Sequence, residues 1–408
     1  MTDNSVAVGR SPLVLDLVTR LIVRLAGRVM NWQSTGSIQI VLPRGQRTTL
    51  GNGRPYDAVL TFKNYRVVLK AIRRGALGFA EAYIDGDVEC SDLVGLFRFV
   101  LRNQAPQHGD SAPRLFQARM MDRIGHFQRR NTRQGSRRNI TEHYDLGNAF
   151  FETWLDDLMI YSSALYRDST ETLDEAQDAK LEAILDSLQL EPGMKMLEIG
   201  AGWGALARAA ARQHAVSVRG ITLSREQLAH ARARAKVESL EGMVQFELED
   251  YRDTEGQYDR IVSVEMIEAV GEKNWPRYFQ TLRDRLRPGG IATLQAITIG
   301  EEHFETYRRE PDFIQRYIFP GGMLPTKTIL EEQAETAGFT YEPVLAFGQS
   351  YARTLEEWRE RFEAAWPQLV EQGFDDVFRR KWLYYLAYCE AGFREGSIDV
   401  GLYRLTRR

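Results

Sequence analysis

One short run constrains this chain more than any other: Leu197-Glu198-Ile199-Gly200-Ala201-Gly202-Trp203-Gly204. An apolar strand, Met194 to Ile199, closes on an acid and opens into three alternate glycines, and a helix from Ala205 to Gln213 follows. Glycine lets the backbone turn sharply and lets a ligand approach it closely. The first amides of a helix have no partner inside it, so a polar ligand can take them. A dinucleotide fingerprint reads G-x-G-x-x-G, and the spacing here is shorter. Strand and helix then keep alternating: strand 216–223, helix 225–240, strands 244–248 and 259–264, helix 275–286 and strand 291–298. That alternation predicts an α/β fold on a parallel sheet. The block 314–325 reads as loop, and helices are predicted over 355–371 and 374–393.

The chain before this block has a different character. Leu13, Leu17, Leu21 and Leu25 recur at helical spacing beside Arg20, Arg24 and Arg28, which predicts an amphipathic helix over 13–30. Strands are predicted over 37–42, 56–62 and 66–69, and helical spacing over 75–102 with an acidic turn at Asp85-Gly86-Asp87. Residues 1–105 therefore read as a smaller α+β domain, 106–140 as a linker and 141–408 as the catalytic domain. Charge matters at the linker. The chain sums to −3, yet residues 114–140 hold eight arginines against Asp122 alone. Such a run is a solvated face or a dock for an anionic partner. Phospholipid headgroups suit it, at about 1 kcal/mol per basic residue near an anionic surface. A net acidic chain gives no general expectation of nucleic acid, though the segment alone leaves it open. No stretch has the roughly 18 apolar residues of a membrane span. Cys90 and Cys389 are too few for a disulfide framework, and the six histidines are scattered, so a reducing compartment and no metal are expected. These features predict a cytoplasmic chain, peripherally associated with the inner face of the cell membrane.

Later elements sharpen the glycine turn. Val218-Arg219-Gly220-Ile221-Thr222-Leu223-Ser224 stands where a second strand is due, and Leu248-Glu249-Asp250-Tyr251 closes a third. Asp259 opens a fourth, and Arg287-Pro288-Gly289-Gly290 turns into a fifth. This order resembles class I S-adenosylmethionine-dependent methyltransferases, which implies a Rossmann-like domain and S-adenosyl-L-methionine as cofactor. A second set comprises His143-Tyr144-Asp145-Leu146-Gly147-Asn148, Phe150-Phe151, Trp154-Leu155-Asp156, Tyr161-Ser162-Ser163, Glu265 to Gly271, Tyr317 to Gly322, and Tyr384-Tyr385-Leu386 with Cys389. Together they are similar to the cyclopropane fatty acid synthase family, including the mycolic acid cyclopropane synthases, most densely over 140–395.

The resemblance implies transfer of a sulfonium methyl to a cis double bond in a lipid acyl chain. It assigns Tyr161 and Ser162 to the cofactor from a lid segment, and Gly200, Gly202, Gly204 and Glu198 to its methionine end. Thr222, Leu223 and Gln227 would meet the ribose, and Tyr251 and Arg252 the adenine. A bound bicarbonate serves this family as base, and its holders match Glu268, Tyr351 and the backbone around Ile299. Phe150, Phe151, Trp154, Tyr161 and Tyr317 would line a dry pocket for a cationic intermediate, with Trp154 read as core packing. Cys389 matches a family cysteine, although the chemistry needs no sulfur nucleophile and a lone helical cysteine is usually a small buried hydrophobe. The chain departs from the family twice. Ser163 stands where Tyr-Ser-Cys is usual, and Ile297 stands near the place of the usual histidine, with Gln295 two residues away. An altered base site leaves open a methylene branch instead of a ring, with a reductase partner completing a methyl branch. A homodimer, a small soluble methyl acceptor and a non-catalytic lipid-binding role also stay open.

Overall fold

The computed structural model describes residues 35–103 and 146–408. The helix expected over 13–30 and the basic linker lie outside the described residues. Among these residues the chain forms two compact units, one of residues 35–103 with Asp376–Tyr384, the other of residues 146–375 with Tyr385–Arg408.

The first unit is α+β. Strands β1 (Ser37–Val41), β2 (Arg47–Gly51), β3 (Ala58–Phe62) and β4 (Val88–Cys90) form a sheet in the order β2-β1-β3-β4. Only the β1–β3 pairing is parallel. In β3, Ala58, Leu60 and Phe62 are buried while the residues between them are not, the period-two pattern of a half-buried strand. Helices α1 (Arg66–Ile84) and α2 (Leu93–Asn103) accompany the sheet. Arg66–Leu69, expected as a strand, is instead the first turn of α1. Val67 is buried there while Leu69 stays exposed. One buried valine on a helical face outweighs the β preference of a Val-Val pair, because strand propensity mostly records packing context.

The second unit carries a seven-stranded sheet in the order β10-β11-β9-β8-β5-β6-β7. Its strands are β5 (Lys195–Ile199), β6 (Ser217–Thr222), β7 (Val244–Leu248), β8 (Tyr258–Val264), β9 (Leu286–Ile299), β10 (Phe339–Ala346) and β11 (Ile398–Arg407). β5 to β9 pair parallel, whereas β11 runs antiparallel between β9 and β10. The longer helices are α3 (Leu173–Leu188), α4 (Ala205–His214), α5 (Arg225–Val237), α6 (Trp275–Arg285), α7 (Glu301–Arg309), α8 (Lys327–Thr336) and α9 (Gly348–Ala364), and α10 (Asp376–Arg394) ends in this unit. This is the α/β Rossmann-like architecture of the sequence reading. Strands β10 and β11 and helix α3 go beyond it, and 313–317 is a helical turn within the expected loop. Helix α3 starts at a capping box in which Thr172 and Glu175 satisfy each other's amides. The core beneath the sheet gathers Leu197, Ile199, Ile221, Ile261, Phe279, Leu294 and Leu405.

Candidate active site

Strand β5 has β6 on one side and β8 on the other, so the chain order reverses across it. Ligands of open parallel sheets bind in the crevice that such a reversal leaves at the strands' carboxyl ends. The glycine turn lies there. Gly200, Gly202 and Gly204 all have positive φ, at 85°, 53° and 84°. A Cβ on Gly204 would lie 2.5 Å from the Phe246 ring, so that glycine is fixed by packing. A Cβ on Gly202 would meet nothing within 4 Å, so open space stands over the middle of the turn. Glu198 is buried below it with Oε2 unpartnered. Burial pushes its carboxyl up to about 8, against the pull of Arg208 and the Ala207 amide. A cradle with room above it and a spare buried acceptor fits the ammonium-bearing end of S-adenosylmethionine.

The flanking cofactor positions lie at the ends of the neighbouring strands. Thr222 Oγ1 donates to Gln227 Oε1 at 2.8 Å, and Ser224 caps α5 through the Gln227 amide. Leu223 sits between them. Arg252 pairs with Asp250 through Nε at 2.7 Å, and Tyr251 meets Tyr278 edge-on at 5.5 Å.

The second half of the site is assembled from distant segments. Glu265 and Glu268 follow β8 on one turn, partly buried. Glu265 Oε1 accepts from the Ser163 amide at 2.9 Å and from Gln295 Nε2 at 2.7 Å. Its Oε2 accepts from the Tyr351 hydroxyl at 2.6 Å. Glu268 Oε1 accepts from the Ile297 amide at 2.6 Å, and its Oε2 has no partner. The two carboxyls therefore differ. Burial, reinforced by the Glu265 charge, pushes Glu268 up to about 8. Burial also raises Glu265, but three donors and the Lys180 ammonium oppose it. Near neutral pH the negative charge belongs on Glu265 and the proton on Glu268, since hydrogen bonds to a carboxylate favour its charged form. Lys180 is itself fully buried on α3. Desolvation lowers it to about 8, with Glu265, Asp156 and Glu198 opposing.

Other predicted residues fall around this pair. Ser162 Oγ accepts from Lys180 Nζ at 2.8 Å, and its carbonyl accepts from Gln177 at 3.0 Å. The Ser163 hydroxyl donates to the Ala164 carbonyl, so its amide, not its side chain, serves Glu265. Tyr161 shares a 2.8 Å hydrogen bond with Tyr385 and packs among Phe151, Trp154 and Trp358 at 5.2–5.6 Å between ring centres. Trp154 is fully buried between Phe150, Phe151 and Trp358, consistent with core packing. Tyr317 packs on Phe313 at 5.4 Å in the helical turn 313–317. Burial, with Asp312 adding to it, holds the Cys389 thiol protonated, which makes it a poor nucleophile. The sequence reading placed no role on Glu265, Lys180 or Gln177. A lone acid closing the apolar strand Ile261-Val262-Ser263-Val264 was the signal available for Glu265.

Fold and site together define a class I S-adenosylmethionine-dependent methyltransferase. The chain belongs to the mycolic acid cyclopropane synthetase family, which it matches over residues 131–402. It is 40% identical over 354 residues to tuberculostearic acid methyltransferase UfaA1 of Mycobacterium tuberculosis, covering 82% of this chain and 80% of that one. It is also 40% identical over 350 residues to cyclopropane-fatty-acyl-phospholipid synthase of Escherichia coli, covering 84% and 86%. Among solved structures, mycolic acid cyclopropane synthase CmaA1 complexed with SAH and CTAB superposes with a TM-score of 0.63 at 31% identity, over 66% of this chain and 98% of that one.

Proposed function

We propose that this methyltransferase acts on the double bond of an unsaturated phospholipid acyl chain and yields a cyclopropane or methylene-branched chain. The observation that carries the reading is the pair of partly buried carboxyls flanking Met266, whose side chain packs over Gly200, with the aromatic cluster of Phe151, Trp154, Tyr161 and Trp358 reached through Tyr351. S-adenosylmethionine, when bound, supplies an electrophilic methyl group. An alkene is a weak nucleophile, so the chain's own contribution begins with holding the acceptor carbon close and in line. A lipid carbon left cationic by methyl transfer would be quenched by water. An apolar, aromatic site excludes water and offers π faces to the cation.

The coverage of the relatives favours a phospholipid. The phospholipid synthase aligns over more than four-fifths of both chains, whereas the solved mycolic acid enzyme is almost wholly covered by two-thirds of this one. Among the described residues no helix is long and apolar enough to cross a membrane. Docking then falls to the surface, and the arginines of 114–140 suit anionic headgroups at the inner face of the cell membrane. A methylene product needs a reductase to become a methyl branch, so a reductase is a partner consistent with this reading, as is a second copy of the chain.

The test incubates the full chain with unsaturated phosphatidylglycerol vesicles and methyl-labelled S-adenosylmethionine, followed by mass spectrometry of the acyl chains. Label in a chain one carbon heavier is expected, and a mass pattern after ozonolysis separates ring from methylene. Label in no lipid, with cofactor bound, would sink the substrate assignment. Arg129, Arg130, Arg133, Arg137 and Arg138 changed together to Gln should cut vesicle binding about tenfold or more at 0.1 M salt. The gap should close at 1 M salt, where the screening length falls to about 3 Å.

A further inference from the structure

The backbone at Glu265 is unusual. Its φ is +48°, in the left-handed region that disfavours an L-residue with a side chain. Such a conformation persists where the surroundings over-determine it, and it marks sites of function more often than chance. Here the surroundings come from three segments. The Glu265 amide donates to the Gln295 carbonyl at 2.8 Å. Its carboxylate takes donors from the segment before α3 (Ser163), from β9 (Gln295) and from α9 (Tyr351). The ionisable groups facing it are Lys180 from α3, Glu268 on its own turn, Tyr351 from α9 and Tyr385 from α10.

Of the holders that the resemblance reserves for bicarbonate, only Glu268 keeps an oxygen without a partner. Tyr351 and the Ser163 segment are spent on Glu265. The Ile299 amide donates to the Pro325 carbonyl at 3.0 Å. Ile297 offers no imidazole, and its amide is spent on Glu268. A bound oxyanion would also face the Glu265 carboxylate at close range, charge against like charge. Bicarbonate therefore does not fit this site.

We propose that the Glu265 carboxylate is the general base of this enzyme, a side chain standing where relatives would bind an exogenous oxyanion. The assignment rests on the lipid methyl-transfer reading above. The step balances without a further reactant. Once an alkene carbon has accepted the methyl group, its neighbour is cationic. A C–H bond of the transferred methyl breaks, and its electron pair closes the three-membered ring. If a hydride first shifts from the methyl-bearing carbon to the cationic one, the same pair forms an exocyclic methylene. In both cases the proton passes to a Glu265 oxygen, and carboxylate plus cation become neutral acid plus neutral lipid. Glu265 thus serves either product.

Two variants test it in carbonate-free buffer with the full chain and unsaturated phospholipid vesicles. Glu265→Gln keeps the size of the side chain and removes the base. Glu265→Gly relaxes the backbone and opens the space the carboxylate fills. Turnover of the wild type should not respond to added bicarbonate. Turnover of Glu265→Gln should fall about 100-fold or more, at the lower end of general-base effects, with cofactor affinity by calorimetry within about threefold. Glu265→Gly should fall similarly and regain about tenfold when bicarbonate is added. Binding read by NMR of ¹³C-bicarbonate should be absent from the wild type and present in Glu265→Gly. Saturable bicarbonate binding to the wild type, or near-full turnover of Glu265→Gln, would overturn the proposal. A wild type that binds cofactor but labels no lipid brings down the substrate reading instead, and the ¹³C comparison still decides whether Glu265 holds the oxyanion's place.

Discussion

The cofactor turn and the base site lie at the ends of adjacent strands, yet they are built in opposite ways. The turn is one contiguous segment, residues 197–204, whose glycines and following helix shape it locally. The base site draws on Ser163, Lys180, Glu265, Glu268, Gln295, Ile297 and Tyr351, separated by up to about 190 residues and joined only by folding. A local device tolerates little change in its own residues and depends on few distant ones, here Phe246 against Gly204. An assembled device spreads its dependence over many residues, and each loss is partial.

The largest effect should come from striking the turn. Gly202→Val puts a branched side chain into the open space over the turn and at a positive φ. Cofactor affinity by calorimetry should fall about 100-fold or more while circular dichroism stays near that of the wild type. Undiminished affinity in a folded variant would detach the cofactor from this turn.

A smaller loss is expected in the assembled site from Tyr351→Phe, which removes one donor from Glu265. A hydrogen bond to a charged group is worth roughly 1.5–3 kcal/mol, so turnover should drop about 10- to 100-fold with cofactor affinity unchanged within about twofold. Losing a donor disfavours the carboxylate, so the acid limb of the pH–rate profile should move to higher pH. An unshifted limb would mean that Tyr351 acts only by packing on Phe393.

The smallest effect concerns stability. Glu268 is raised from an ordinary carboxyl value to about 8 by burial, so the folded chain keeps a proton that the unfolded chain releases. Its contribution is fully present below about 4.5 and is lost as pH climbs through about 8. The melting temperature of the ligand-free enzyme should therefore fall between pH 5 and 8. In Glu268→Gln, which has no proton to lose, the fall should be shallower by about 2 °C or more. Identical slopes would show that Glu268 is ionised throughout and that the two carboxyls are not differentiated as described.

Local sequence was enough for the turn, because glycine spacing, an acidic strand end and a helix start are properties of consecutive residues. It was enough too for the alternation that makes β5 to β9 a parallel sheet. Where a β-branched pair such as Val67-Val68 met a helical packing face, local propensity pointed to a strand and tertiary burial made a helix. The antiparallel pair β10 and β11 escaped because their pairing with each other and with β9 is long-range. The missing histidine at Ile297 and the serine at 163 told from the sequence that the base site is altered. What replaced it was not written there. Glu265 is one glutamate among many until folding brings three donors to its two oxygens and bends its backbone to a positive φ. Hydrogen-bond geometry between residues 163, 265, 295 and 351 has no local signature, so only the tertiary structure could decide which carboxyl carries the charge.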